Sequence, residues 1–431
     1  MSSPQQQLRP RSPWSKIRLL LSVVGPGLIA ANADNDASGI FGYSLAGAQY
    51  QYSMLWILVL SGVALAVMQE MGARMGTVTG KGLADLIREE YGVKITFFAM
   101  FAVLIANFCT TVSEFAGILA SLELFGPRWI PVVRFAILPL LAIGIWLLIS
   151  RGSYRKLERI LLMSSVIYLL YVASAILSHP RWTDVGHQLV SPFAHIGPIA
   201  IYALMIINVV GTTITPWGQF YIQSSVRDKG VKVKDYGLLK IDVYFGVIFT
   251  NLIGCFIMIC CGATLFKEGI HQLNDAGQAA SALAPLAGKL ATVLFGIGLF
   301  NASAFGAITV PLSTAYSITE ALGWESGMGR RIREAPLFVG VYTFLIFACA
   351  ALVMLFSGHL GWLIILPNIV GGVLLPIILV LTLQIINKRR IMGKYVNSPT
   401  FNVVAWTTTV VLIILSFVLL VTTIFPSIGA G

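Results

Sequence analysis

The chain has 431 residues, 57% hydrophobic and 11% charged, and its 29 Lys and Arg against 18 Asp and Glu leave a net charge of +11. A soluble domain carries about 25% charged residues, so water cannot solvate this surface and a string of soluble modules is excluded. Nucleic-acid binding, the other reading of a basic chain, needs a basic face in water that is missing here, so the expected surroundings are a lipid bilayer with no nucleic-acid partner.

Apolar windows long enough to cross about 30 Å of hydrocarbon recur at 17–48, 53–73, 95–122, 131–150, 157–178, 196–225, 241–266, 285–320, 335–356, 361–387 and 401–425. These eleven windows predict an all-α polytopic membrane protein. Residues 1–15, rich in Ser, Pro, Gln and Arg, read as a disordered cytoplasmic arm. No signal peptide is expected, because the first apolar run leads into polar residues rather than a small-residue cleavage site.

The cations sort by loop. If the segments alternate, 24 of the 29 fall on one side, from Arg9, Arg11, Lys16 and Arg18 through the loops near Lys81, Arg155, Lys232 and Arg331 to Lys388–Lys394. Only Arg128, Arg134, Arg181, Lys267 and Lys289 fall on the other. A miscounted helix would mix the two sets. Basic loops face the cytoplasm, which predicts a plasma or inner membrane location with the N-terminus cytoplasmic and the C-terminus outside. The five cysteines all lie in apolar segments without metal-type spacing and read as small core residues. The five histidines, His179, His187, His195, His271 and His359, all fall in segments placed outside, so none is expected at membrane depth.

Two segments are interrupted by polar and turn-forming residues. Segment 1 contains Asn32-Ala33-Asp34-Asn35-Asp36-Ala37-Ser38-Gly39, and segment 6 contains Gly211-Thr212-Thr213-Ile214-Thr215-Pro216-Trp217-Gly218-Gln219. Pro216 removes a backbone donor, and Gly39, Gly211 and Gly218 tolerate non-helical backbone. Breaks at membrane depth survive where they line a cavity or are buried in protein. Segments 1 and 6 each begin a five-helix half, 16–178 and 196–388, with 400–425 appended. Paired broken helices in inverted repeats of the LeuT type point to a transporter's central site.

A carboxylate at mid-bilayer costs about 2.5–3.5 kcal/mol on insertion scales. For Asp36 the readings are cation ligand or N-cap of the second half-helix, with the ligand weighing more. Asp34 stands open between ligand and a register that turns it away. Thr212 and Thr215 add hydroxyls, so every candidate donor is oxygen. That favours a hard cation such as Mg²⁺ or Ca²⁺.

The chain resembles the Nramp family of divalent-metal transporters. Gly25-Pro26-Gly27, Gly47-Ala48-Gln49-Tyr50 and the pattern of Gln69, Ala73, Gly76 and Thr79-Gly80 carry the resemblance. Asp36-Ala37-Ser38-Gly39 stands where the family has Asp-Pro-Gly-Asn, and Thr215-Pro216-Trp217 where it has Met-Pro-His. The resemblance implies a five-plus-five fold with metal held between unwound helices 1 and 6. It also places Asn368 where the family has a Gln that can reach the ion; an interhelical hydrogen bond is the equal alternative. Gln219, one turn after Thr215, could offer an amide oxygen to the ion or its waters.

The departures narrow the expectation. The family's Met, a soft thioether, is Thr215, and its Asn is Gly39. A wider, harder, more polar site suits an ion that keeps several waters, and the pattern is similar to the Nramp-related magnesium transporters. The family's helix-6 His is Trp217, which is expected to pack or gate. An acid of its third helix is Thr111, with Glu114 retained. Uncoupled transport of Mg²⁺, with Mn²⁺ also carried, is therefore expected, with the metal as substrate, no resident cofactor and no obligatory protein partner. Glu70, Asp242 and Glu320 remain as proton carriers or, with more weight, helix-end hydrogen-bonding groups.

Two alternatives stand beside it, a proton-coupled Mn²⁺/Fe²⁺ symporter and a LeuT-fold amino-acid symporter. An enzyme is not expected, since no His-Glu-x-x-His or Gly-x-Ser-x-Gly is present.

Overall fold

The computed structural model describes residues 25–124, 130–191, 199–273, 277, 279–280, 284–328 and 333–424. The N-terminal arm, the start of segments 1 and 6, and the cations Arg9, Arg11, Lys16, Arg18, Arg128, Arg330 and Arg331 lie outside them, as does His195.

Among the described residues every regular element is helical. The first predicted segment is two pieces, α1 (Pro26–Ala33) and α2 (Ala37–Tyr50). There follow α3 (Leu55–Thr79), α4 (Leu83–Glu123), α5 (Val133–Ser150) and α6 (Tyr154–Leu177). A short helix not predicted from the sequence, α7 (Trp182–Leu189), precedes the second broken segment, α8 (Ile199–Thr213) and α9 (Pro216–Lys229). The remaining spans are α10 (Tyr236–Ala263), α11 (Ala284–Leu322), α12 (Pro336–Leu355), α13 (Leu360–Ile386) and α14 (Pro399–Ile424). Ten stretches of the described residues are long and apolar enough to cross a membrane. With the divided first segment they fall on the eleven windows.

One element begins earlier than its window. α4 was expected from residue 95, but a helix runs from Leu83 and turns into the span at Gly92, whose φ of 75° a side chain would disfavour.

Contacts at the helix ends obey the predicted alternation. On the cation-rich side, the Lys81 carbonyl accepts from Gln223 at 2.9 Å, Arg227 donates to Ser326 at 3.1 Å, and Lys229 pairs with Glu158 at 2.6 Å. On the other, Gln188 accepts from the Tyr52 backbone at 3.1 Å and His271 meets the Ala48 carbonyl at 2.8 Å. These bonds join helix ends and connections of like parity, as alternating crossings require. α4 and α11 pack along one another, and α10 lies against both α1 and α2. The first broken segment is thus enclosed by unbroken helices.

Candidate metal site at the two breaks

The first break spans Asp34 to Asp36. Asp34 closes α1, its N–H reaching the Ala31 carbonyl at 3.2 Å, and Asp36 is extended, with φ −80° and ψ −176°. Asp36 is the N-cap of α2: its Oδ1 accepts from Gly39 N and from Ser38 Oγ, both at 2.7 Å. Both bonds fall on one oxygen, so capping and ligation are compatible roles, with Oδ2 as the oxygen outside the cap.

The second break is Ile214–Thr215, with Pro216 at the first position of α9, where its missing N–H costs least. Thr215 Oγ1 donates to Asp34 Oδ1 at 2.7 Å, and Gln69 Nε2 donates to the other Asp34 oxygen at 3.0 Å. The register therefore turns Asp34 toward the second break. Tyr43 Oη and Thr213 Oγ1 join the pieces again at 3.0 Å.

Gly39, Gly211 and Gly218, which tolerate non-helical backbone, are all helical here. Gly39 and Gly218 are needed for close approach. A Cβ at Gly39 would sit 3.0 Å from both Thr212 Oγ1 and the Asp34 carbonyl, and one at Gly218 would sit 3.3 Å from Asp34 Oδ1. Small residues let the halves of the site touch.

Among the described residues, many polar atoms here are buried without a partner. They include Asn32 Oδ1, Gln69 Oε1, Thr212 Oγ1, Trp217 Nε1 and both amide atoms of Gln219. Buried polar groups are ordinarily satisfied by protein or ordered water, so this concentration marks a place for waters or a hydrated ion. No three His, Cys, Asp or Glu side chains form a metal cage among the described residues. The oxygens gathered at the breaks come from two carboxylates, hydroxyls and amides.

The other predicted positions divide. Glu114 Oε2 accepts from the Ala37 backbone at 3.3 Å, next to Asp36. Thr111 spends its hydroxyl on the Asn107 carbonyl of its own helix at 2.7 Å. Asn368 donates to Asn208 Oδ1 at 2.6 Å, an interhelical bond. Trp217 is 1% exposed and lies edge-on to Tyr221, while its carbonyl accepts from Ser313 at 3.0 Å. Glu70 pairs with Arg74 at 3.0 Å, and Glu320 with Arg227 at 2.8 Å. Asp242 accepts from Gly27 N at 2.7 Å and from Leu28 N at 3.3 Å, satisfying the start of α1. Asn208, Tyr43 and the hydrogen bond of Gln69 to Asp34 were not anticipated. Their signal is a polar side chain in an otherwise apolar span.

The Nramp family model, described as natural resistance-associated macrophage protein-like, matches residues 27–422. A divalent metal cation transporter, MntH, of Ralstonia nicotianae is 27% identical over 410 residues, covering 91% of this chain and 88% of its own. MntH of Bacillus subtilis is 25% identical over 415 residues, covering 94% and 93%. Among solved structures, the manganese transporter of Eremococcus coleocola superposes with a TM-score of 0.76 at 19% identity, over 98% of this chain and 90% of that one. That likeness establishes the fold.

Proposed function

Since the chain belongs to the Nramp family, we propose that it carries divalent metal cations across a membrane, taking Mg²⁺ by preference and Mn²⁺ as well. Relatives covering most of its length are named divalent metal cation transporters, which supports the coarser part. The observation that carries the preference is the 2.7 Å bond between Thr215 and Asp34. A hydroxyl tied to a carboxylate occupies the position where a thioether would select transition metals. Hard oxygens surrounded by unpartnered polar atoms suit an ion that dehydrates reluctantly.

In this reading Asp36 and Asp34 supply the charge. Thr212, Thr215, Gln219 and the helical Gly39 surround the ion's water shell, and Asn368 enters by exchanging its bond to Asn208. α1 and α9 move against the helices around them to expose the site to either side, within halves 16–178 and 196–388 that carry α14 as an appended helix. The N-terminus faces the cytoplasm. The protein is a permease with no catalytic residues, no resident cofactor and no obligatory protein partner.

Glu114 favours a second reading. An acid against Ala37 N and hydrogen-bonded to the Asp36 side chain could carry a proton beside the ion, as a proton-coupled Mn²⁺/Fe²⁺ symporter requires. An amino-acid symporter is disfavoured, because two aspartates at the first break repel a substrate carboxylate. Flux into liposomes separates these readings. Mg²⁺ entry down its gradient with no change in a lumenal pH dye is expected, and entry coupled to lumenal acidification would overturn uncoupled transport. Absence of Mg²⁺ entry, with Mn²⁺ entry retained, would overturn the magnesium assignment.

A further inference from the structure

Away from the breaks, a cavity of about 830 Å³ opens on the cation-rich side between α6 and the end of α9, lined by Arg155, Glu158, Arg159 and Lys229 above Leu162, Met163 and Val166. We propose that it binds the headgroup of an anionic membrane phospholipid, with Arg155, Arg159 and Lys229 gripping the phosphate and the apolar face of α6 receiving an acyl chain.

The charge is available. Lys229 is held by Glu158 at 2.6 Å, and Asp228 accepts from Tyr316 and Arg227. Arg155 and Arg159 are exposed and have no ion-pair partner among the described residues. Both acids at the cavity are therefore engaged while two cations are free.

The spacing selects a lipid over a soluble phosphate. Arg155, Arg159, Met163 and Val166 follow one another at intervals of four, four and three along one helix face. From Arg155 to Val166 the helix rises about 16 Å, so the cations stand at headgroup level and the apolar pair beneath them at acyl-chain level. Met163 and Val166 are 69% and 63% exposed. Basic pockets between membrane helices on the cytoplasmic side are suited to anionic headgroups.

The site also sits at a joint. A Cβ on Gly25, which leads into α1, would collide with the Glu158 carboxylate that holds Lys229 of α9. A phosphate competing for Lys229 would touch the contact shared by both broken segments.

The test is thermal unfolding of the purified full chain titrated with phosphatidylglycerol, phosphatidylcholine or inorganic phosphate. Phosphatidylglycerol is expected to raise the melting temperature at a roughly 30-fold lower concentration than phosphatidylcholine, from two headgroup-level arginines. The variant R155Q/R159Q should bring the two lipids together, whereas K232Q/K234Q, which removes exposed cations elsewhere on the same side, should not. Val166→Asp, which leaves the cations but charges the acyl-chain wall, is a second variant with the same expected loss. Equal effects of both lipids on the wild type, or equal loss in R155Q/R159Q and K232Q/K234Q, would overturn the site. Inorganic phosphate acting as well as phosphatidylglycerol would overturn the lipid.

Discussion

The two breaks face one another but are built differently. The first is fastened on several sides: Asn35 Nδ2 donates to the Thr250 carbonyl at 3.0 Å, Asn32 Nδ2 to Ser165 at 3.0 Å, and Tyr168 Oη to the Asn35 carbonyl at 3.3 Å, while Asp36 caps α2. At the second, Thr215 and Thr213 reach back to the first segment, and Thr212, Trp217 and Gln219 keep buried polar atoms without partners. One break holds carboxylates in a fixed frame. The other presents hydroxyls and amides, of which Thr212 and Gln219 have no partner among the described residues. Under the proposed function this division suits a site that must release its cargo, since rigid charge gives affinity and adaptable neutral donors let the water shell rearrange.

The sharpest way to break the comparison is to separate the two roles of Asp36. Asp36→Asn keeps a capping oxygen and removes the charge. Uptake of Mg²⁺ into liposomes is expected to fall by about 100-fold or more, as loss of a charged ligand implies. Stability should hold within about 1 kcal/mol, because Asn caps as well as Asp. Asp36→Ala should lose both uptake and stability. If Asp36→Asn transported normally, Asp36 would be a cap alone.

The next effect falls on the frame. Asn35→Leu removes the amide that ties the first break to the Thr250 carbonyl, and the expected cost is about 1.5 kcal/mol in chemical unfolding. At the second break Thr212→Val orphans no partner, so its cost should lie near zero. Equal costs at the two positions would erase the proposed asymmetry.

Much of this was legible in the sequence. The eleven windows and the positions of both breaks follow from Pro216 and from acids set in apolar runs, because a bilayer enforces helices almost everywhere else. What was hidden is pairing. Asn208 beneath Asn368, Tyr43 against Thr213 and Gln69 on Asp34 each require knowing which helix faces which, and one polar residue in a span carries no address. The same limit explains the glycines: Gly39 and Gly218 read as flexible backbone, while their function is to let Thr212 and Asp34 approach. Thr111 was read against a missing acid, but its hydroxyl turns to its own helix.

Selectivity comes third in size. Thr215→Met restores a thioether and also removes the hydroxyl from Asp34 Oδ1, freeing that oxygen. The Mn²⁺-to-Mg²⁺ uptake ratio is expected to rise about tenfold, measured as competition in the liposome assay. A ratio that stays put would count against donor softness as the basis of the preference.

The smallest expected effect is also the cleanest in sign. Thr212 Oγ1 is buried without a hydrogen-bond partner and lies 3.0 Å from where a Cβ on Gly39 would stand. Removing an unpaired buried hydroxyl is neutral or stabilising, because its desolvation is no longer uncompensated. Thr212→Val should therefore unfold at the same or a slightly higher temperature than the wild type. If that hydroxyl serves the ion's water shell, Mg²⁺ uptake should nonetheless fall, by about threefold, or ~0.6 kcal/mol. Stability and transport then move in opposite directions at one position, which a purely structural threonine cannot produce. Unchanged uptake in a protein at least as stable would take Thr212 out of the site and leave Thr215 and Gln219 as the neutral donors of the second break.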